Sequence, residues 1–218
     1  MWKEYWEPIQ LSITVTIAAS IVVIIAGTFL GYIFARRVFK LKLILETVFM
    51  LPLVLPPSVI GFLLIIIFGN QSFIGIFIKN LFGHSIIFTW YAAVISAAVV
   101  AFPLMFQSAK AGFLHVHRRM EEAAVDLGAK PNQVFFRISI PLAKKAIIAG
   151  CILSGARALG EFGATLMFAG NIPGVTQTVP TAIYMAIDMG NVMLAWTWVI
   201  TIVILSFLLL FFVRSKDV

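Results

Sequence analysis

The sequence is poor in charged residues and has almost no cysteine. Of its 218 residues, 11% are charged, against roughly 25% in a typical soluble domain. The single cysteine, Cys151, excludes a disulfide within the chain and a metal site built on several cysteines. Hydrophobic residues make up 61% of the chain, and the mean hydropathy is +1.05. These values predict an integral membrane protein and, at this length, a single domain over residues 1–218.

Motifs that a self-sufficient enzyme would need are also missing. The chain has no GxxxxGK[ST] loop to bind nucleotide phosphates and no HExxH motif to bind a catalytic zinc ion. His115 and His117 are two positions apart and have no third ligand nearby, so we interpret them as surface residues. We therefore predict that the protein is not an enzyme and that it binds no metal or other cofactor itself.

Long apolar runs divide the chain into membrane spans. Because the runs are continuous and do not alternate, they predict helices and exclude the strands of a membrane barrel. A helix needs about 20 residues to cross the bilayer. The runs predict five transmembrane helices, at residues 9–35, 43–68, 86–107, 146–169 and 192–213. The predicted fold class is therefore an all-α integral membrane protein.

Prolines and small residues mark special positions in two of these spans. Pro52, Pro56 and Pro57 lie in the second span. Proline bends a helix, and either a hinge or a static bend is consistent with these three. Gly27 and Gly31 form a GxxxG pair in the first span. The pair is typical of close helix contacts, but glycine is also common in membrane helices in general, so both interpretations are open.

The distribution of basic residues predicts the orientation in the membrane. Lys and Arg are enriched in the cytoplasmic loops of membrane proteins. Five spans place thirteen of them on one side, and only Lys3 and Lys79 on the other. The larger group is Arg36, Arg37, Lys40, Lys42, Lys110, Arg118, Arg119, Lys130, Arg137, Lys144, Lys145, Arg214 and Lys216. We expect a plasma (inner) membrane protein with its N-terminus outside and its C-terminus in the cytoplasm. The excess of basic residues is explained by this orientation, so we do not predict binding of nucleic acid.

The longest polar segment between spans, residues 120–141, contains a short predicted helix. Glu121 and Glu122 lie in its first turn, where the helix dipole favours acidic residues. Gly128 is expected to end the helix, and Pro131 to prevent its resumption. The helix is too polar to enter lipid. It should therefore lie on the membrane surface or against a partner.

The spacing within this segment is specific. Glu122-Ala123-Ala124 is followed by Gly128 and then by Ile138-Ser139-Ile140-Pro141. This pattern resembles the EAA motif of permease subunits of ATP-binding-cassette (ABC) importers, with Ile140 where the family usually has Leu. The resemblance implies a cytoplasmic coupling helix that sits in a groove of an ATPase subunit; a passive surface helix is the alternative. It implies ATPase coupling for Glu121, Glu122, Ala123, Ala124, Asp126, Leu127, Gly128 and Pro141.

Two charges lie inside the fourth span. Arg157 and Glu161 are four residues apart, so on a helix they share a face and can pair. A charge at the centre of a membrane helix costs about 2.5–3.5 kcal/mol, and such residues usually mark function. With Thr165, they are predicted to border the translocation pathway or its gate, although an internal ion pair that locks the bundle is nearly as well supported. A stripe of small residues is predicted to pack against a neighbouring helix: Ala156, Gly160 and Ala164.

The residues that follow narrow the family. The chain reads GEFGAT at 160–165, AGNIPG at 169–174, and continues through Thr178 and Pro180 to Tyr184. This region resembles the molybdate permeases; sulfate permeases share a similar GE(Y/F)G and AGN pattern but usually diverge after it. The resemblance covers nearly the whole chain. It implies a type I ABC importer permease that takes up molybdate or tungstate, with sulfate or another oxyanion as the alternative.

The same resemblance implies a set of partners. It predicts a homodimer of the permease in the lipid bilayer, two cytoplasmic ATPase subunits that carry the ATP and Mg, and an extracytoplasmic molybdate-binding protein. A secondary transporter is a remote alternative, because such proteins usually have more spans and often an inverted repeat. We find no convincing similarity between the two halves of this chain.

Overall fold

The computed structural model describes residues 2–214, and every regular element in that range is helical. The prediction of an all-α fold is confirmed. Lys216, one of the predicted cytoplasmic cations, lies outside the described residues. The elements in chain order are α1 (Trp2–Arg36), α2 (Lys42–Val54), α3 (Pro57–Phe68), α4 (Phe73–Phe82), α5 (Trp90–His115), α6 (Arg118–Asp126), α7 (Pro131–Val134), a π-helical turn (Phe135–Ser139), α8 (Ile140–Leu159), α9 (Gly163–Phe168), α10 (Val179–Asp188) and α11 (Val192–Arg214).

The first and last predicted spans correspond to single helices. α1 contains the predicted span 9–35, and its 35 residues extend about 50 Å at a rise of about 1.5 Å per residue. This length exceeds the hydrocarbon core of about 30 Å, so α1 either tilts or continues beyond the core. α11 agrees with the predicted span 192–213. These two spans follow directly from uninterrupted apolar sequence.

The second predicted span, 43–68, is broken by its prolines. α2 ends at Val54 and α3 begins at Pro57, while Leu55 (φ −70°, ψ 143°) and Pro56 (φ −54°, ψ 137°) are extended. Each of these two residues precedes a proline, whose ring disfavours the helical conformation of the residue before it. Pro57 is acceptable in the first turn of α3, where a backbone N–H is not needed. Pro56 and Pro57 therefore separate two helices, whereas Pro52 lies inside α2.

α3 continues into α4 through a bend of 64°. The hydroxyl of Ser72 accepts a hydrogen bond from the N–H of Gly75 at 2.8 Å and caps α4. By length and hydropathy, residues 2–214 contain three helices that could cross a membrane, or up to four if this bent pair is one span. The three are 4–36, 90–115 and 131–159, and α11 contributes a shorter apolar helix, Val192–Leu208. Of the five predicted spans, three thus correspond to long apolar helices, one overlaps a bent pair of helices and one corresponds to a shorter apolar helix.

The third and fourth predicted spans are shifted along the chain. α5 begins at Trp90, after Thr89, and extends beyond the predicted end at 107 to His115. It can include Lys110 because the ammonium group of that residue lies 2.7 Å from a carboxylate oxygen of Glu46 on α2. α8 begins before the predicted start at 146 and ends at Leu159, after which the chain is not helical until α9.

α5 forms the centre of the bundle, with α1 and α8 packed along it. Glycines allow the backbones to approach closely. A Cβ atom placed on Gly27 would lie 2.7 Å from Cγ of Met105, and one on Gly31 would lie 2.9 Å from the backbone N of Lys110. The GxxxG pair in the first span is therefore a contact between α1 and α5, which decides between the two interpretations of these glycines.

Candidate functional site

The polar helix predicted between the third and fourth spans is α6. It begins at Arg118, slightly earlier than predicted, and ends as expected at the glycine. Gly128 has φ +88°, and its N–H donates to the carbonyl of Val125 at 2.8 Å, while the N–H of Ala129 donates to the carbonyl of Ala124 at 2.9 Å. This is the left-handed glycine ending that satisfies the last carbonyls of a helix.

Most of the predicted coupling residues face solvent. Leu127 is 90% exposed beside the end of α6, and Val125 on the helix is 54% exposed. These two side chains give the otherwise polar surface of this segment an apolar part. The predicted coupling residues that are exposed, or partly exposed in the case of Ala124, are Glu122, Ala123, Ala124, Asp126, Leu127, Gly128 and Pro141.

Glu121 differs from these residues because it points into the protein. It is 8% exposed. Nη2 of Arg36 donates to its Oε1 at 2.9 Å, Nε of Arg36 lies 2.8 Å from its Oε2, and the hydroxyl of Ser139 donates to its Oε1 at 2.6 Å. Nη2 of Arg36 also donates to the carbonyl of Val116 at 3.1 Å. The carboxylate of Glu121 therefore joins the ends of several elements and has little surface for an external partner.

The chain after Gly128 departs from the prediction. Pro131 was expected to prevent a helix, but it occupies the first turn of α7, where proline is favourable. α7 runs through the π-helical turn into α8, so that residues 131–159 form one long helical segment. The N–H of Ile140 donates to the carbonyl of Phe135, five residues earlier. This wider turn accommodates Pro141, which lacks an N–H and would crowd the carbonyl four residues before it.

The intramembrane pair Arg157 and Glu161 lies at the junction between α8 and α9. Nη1 of Arg157 is 2.8 Å from Oε2 of Glu161. Oε1 of Glu161 accepts a hydrogen bond from the N–H of Ala164 at 2.7 Å, so the side chain also caps the start of α9. Glu161 is 3% exposed, whereas the side chain of Arg157 is 31% exposed. The pairing predicted for a continuous helix is thus present across a helix break.

Hydroxyl groups surround the buried side of this pair. Thr165, the third predicted pathway residue, is buried next to Glu161 on a narrow polar cleft. The cleft is also lined by hydroxyl residues of α1 and of the segment before α10: Ser12, Thr16 and Thr178. The hydroxyl of Ser12 accepts a hydrogen bond from the N–H of Val179 at 2.7 Å. The sequence singled out Thr178 only as part of the region that resembles the molybdate permeases, and it did not indicate Ser12 or Thr16, which are isolated hydroxyls in apolar sequence.

The predicted stripe of small residues does not form a continuous helix face. α8 ends before Gly160, which is exposed and whose added Cβ would meet only the carbonyl of Ala156, at 3.7 Å. Ala164 is fully buried on α9, where its backbone lies 3.1 Å from a Cβ placed on Gly61 of α3. Close packing of α8 depends instead on Gly150, whose Cβ would lie 2.8 Å from Cβ of Ser108.

The structure contains no candidate metal centre in the described range 2–214. His115 ends α5, where its ring Nδ1 lies 2.7 Å from the carbonyl of Ala111. His117 precedes α6 as an exposed residue. These positions agree with the interpretation of both histidines as surface residues.

Comparisons with known proteins agree on one family. Residues 24–216 match the family described as the binding-protein-dependent transport system inner membrane component. The putative molybdenum transport system permease protein YvgM of Bacillus subtilis (strain 168) is 59% identical over 98% of this chain and 94% of its own length. The molybdenum transport system permease protein ModB of Escherichia coli (strain K12) is 42% identical over 84% of this chain and 80% of its own.

A solved structure supports the same architecture. The MetNI methionine ABC transporter in an inward-facing conformation has a chain that superposes with a TM-score of 0.71 at 18% identity, covering 99% of this chain and 95% of that one. At this identity the likeness concerns the fold, and it confirms the predicted type I importer permease architecture. This chain belongs to the inner membrane components of binding-protein-dependent transport systems, as the permease subunit of an ABC importer whose ATP is hydrolysed by a partner.

Proposed function

We propose that this permease carries molybdate into the cytoplasm. The observation that carries the proposal is the 59% identity, over 98% of this chain, to a protein named as a putative molybdenum transport permease. The named molybdenum permease of Escherichia coli supports it at 42% identity. Tungstate, a similar tetrahedral dianion, is an expected second substrate. An extracytoplasmic binding protein would deliver the anion.

Two copies of the chain form the pathway in this proposal, with two ATPase subunits below them. The exposed face of α6 and the neighbouring Leu127 and Gly128 form the docking surface for each ATPase. Leu127, at 90% exposed, and the exposed Val125 give this surface an apolar part that a partner could cover, which supports this role. The N-terminus of the chain lies outside, and α6 lies in the cytoplasm together with the thirteen cations counted in the sequence.

Arg157, Glu161 and Thr165 form part of the gate in this proposal. Arg157 is the partly exposed member of the pair and has an ion-paired partner, so it offers donors without holding an anion tightly. Passage of an oxyanion requires donors along the pathway and a site weak enough to release it. Ser12 and Thr178 add hydroxyl groups beside the pair. A break in the helix at this point supports movement here, because α9 is joined to α8 by three non-helical residues.

Uptake by the reconstituted complex tests the substrate. Permease, ATPase and binding protein in proteoliposomes should accumulate labelled molybdate in the presence of ATP. Unlabelled molybdate and tungstate should compete, and sulfate in equal amount should compete far less. Competition by sulfate equal to that by unlabelled molybdate would replace the molybdate assignment with a general oxyanion permease.

A substitution in α6's glycine ending tests the docking surface. Gly128→Asp puts a side chain and a charge at a backbone position with φ +88°, which residues other than glycine disfavour, Asp less than most. We expect the ATPase to copurify less well with this variant and uptake to fall. Unchanged copurification and unchanged uptake would show that the ATPase docks elsewhere.

A further inference from the structure

Four chain segments meet around the ion pair of Arg36 and Glu121. Arg36 is the last residue of α1, Val116 follows the end of α5, and Ser139 is the last residue of the π-helical turn before α8. Glu121 itself lies in the first turn of α6. The hydrogen bonds and the ion pair between Arg36, Glu121 and Ser139, which we call the Glu121 clamp, therefore join α6 to the cytoplasmic end of α1 and to the start of α8.

α6 has few other connections to the bundle. In the range 2–214, the side-chain hydrogen bonds and ion pairs that join α6 to another element all involve Glu121. The other ion pair on α6, between Arg118 and Glu122, lies within the helix and is exposed. A cleft of about 400 Å³ separates part of α6 from the end of α1, lined by Tyr32 and Arg37 among others. Position and orientation of α6 thus depend strongly on the clamp.

The clamp is also well suited to transmit a displacement. The side chains of Arg36 and Glu121 are 14% and 10% exposed, so water screens their attraction less than it screens a surface pair. Oε1 accepts hydrogen bonds from Arg36 and Ser139, and Oε2 lies 2.8 Å from Nε of Arg36, so the carboxylate is held from two sides. α8 begins directly after Ser139 and extends to the junction that holds Arg157. A shift of α6 therefore has a direct mechanical route to both α1 and the proposed gate.

We propose that Glu121 is a positioning residue that converts movement of α6 into movement of α1 and α8, with Arg36 and Ser139 as its partners. The proposal rests on the proposed docking of the ATPase at α6, and it assigns Glu121 a role distinct from docking. Loss of the clamp should leave the ATPase bound but should weaken the link between its cycle and transport. The quantity that reports this link is the number of molybdate ions imported per ATP hydrolysed.

The test uses the complete complex of permease, ATPase and binding protein in proteoliposomes. Glu121→Gln keeps the shape of the side chain and removes its charge. We expect the ATPase to copurify normally and the molybdate-to-ATP ratio to fall roughly fivefold or more, the lower end of usual coupling effects. Ser139→Ala removes one donor and leaves the ion pair, so the ratio should fall by about threefold. The reciprocal exchange Arg36→Glu with Glu121→Arg should recover part of the loss.

Glu46→Gln is the matched control. It breaks the pair with Lys110, which has the same kind of contact at 2.7 Å and partly buried side chains but joins α2 to α5 without touching α6. The ratio for this variant should equal that of the parent protein. An unchanged ratio in Glu121→Gln, or an equal fall in Glu121→Gln and Glu46→Gln, would overturn the proposal. If Glu121→Gln does not fold, an unchanged ratio in Ser139→Ala would overturn it.

Failure of the docking proposal gives a different result. In that case Gly128→Asp retains both the ATPase and the ratio, whatever Glu121→Gln does. If Glu121→Gln instead loses the ATPase from the complex, Glu121 contributes to docking and the positioning role is overturned. Copurification and the transport ratio, measured on the same preparations, therefore separate the two proposals.

Discussion

The close approach of α1 to α5 predicts that Gly31 is among the least replaceable residues of the bundle. A Cβ atom on Gly31 would lie 2.9 Å from the backbone N of Lys110 and 2.9 Å from Cβ of Ala109. Favourable contacts between such atoms are about 3.5–4.0 Å long, so α1 would have to move away by roughly 0.6–1.1 Å. Neither neighbour is the free end of a flexible side chain. The backbone of α5 itself must move or α1 must separate from it.

Gly155 provides the matched control for this substitution. It also lies in a membrane helix and is buried, but an added Cβ would meet only Oγ of Ser20, at the ordinary distance of 3.6 Å. Gly→Ala improves helix propensity by about 1 kcal/mol at both positions. Overpacking costs about 1–3 kcal/mol and applies only to Gly31. The difference between the two variants should therefore be about 1–3 kcal/mol, with Gly31→Ala the less stable.

Denaturant unfolding in detergent micelles, followed by tryptophan fluorescence, measures this difference. Gly27→Ala should fall between the two, because its closest neighbour is the side chain of Met105 and its nearest backbone atom, the N of Phe106, lies at 3.2 Å, against 2.9 Å for the backbone contact at Gly31. Equal stability of Gly31→Ala and Gly155→Ala would refute the close contact between α1 and α5. An order of stability with Gly27→Ala lowest would mean that Met105 is held rigidly.

Three further substitutions probe separate parts of the structure. Gly128→Ala should weaken copurification of the ATPase, because alanine disfavours φ +88° by about 1–2 kcal/mol. The control is Gly83→Ala, at a position with φ +79° and equally open space, and it should leave copurification unchanged. Glu161→Gln removes the partner of the arginine in α8 and should lower molybdate uptake roughly tenfold without loss of ATPase from the complex, as judged by uptake and copurification. Trp198→Phe removes the indole N–H that donates to the carbonyl of Tyr5 at 3.1 Å and should lower the free energy of unfolding by about 0.5–1.5 kcal/mol in the same denaturant assay.

Features with local causes were predictable from the sequence. The C-terminal end of α6 follows from Gly128, and the extent of α11 follows from an uninterrupted apolar run. The pairing of Arg157 with Glu161 follows from their spacing. In each case the residues that decide the structure are neighbours in the chain. Local pattern and propensity are then sufficient.

Features that depend on distant residues were not predictable in this way. The burial of Glu121 depends on Arg36, which is 85 positions away in the sequence. The hydroxyl of Ser12 reaches Val179 across 167 positions. The periodicity of hydrophobic residues along the sequence does not indicate contacts between residues so far apart. No proline marks the helix break after Leu159 in the sequence. A new helix, α9, begins there because the carboxylate of Glu161 caps its first turn.

The π-helical turn at Phe135–Ser139 has a consequence for the length of the chain between α6 and α8. A hydrogen bond of a π-helical turn spans five residues, one more than that of an α-helical turn, so the turn contains one additional residue. Deletion of a single residue there would allow a regular α-helix, but it would rotate everything before the turn by about 100° around the axis of α8. Ser139 would then no longer face Glu121. The residue count of this segment therefore sets the angle between α6 and α8.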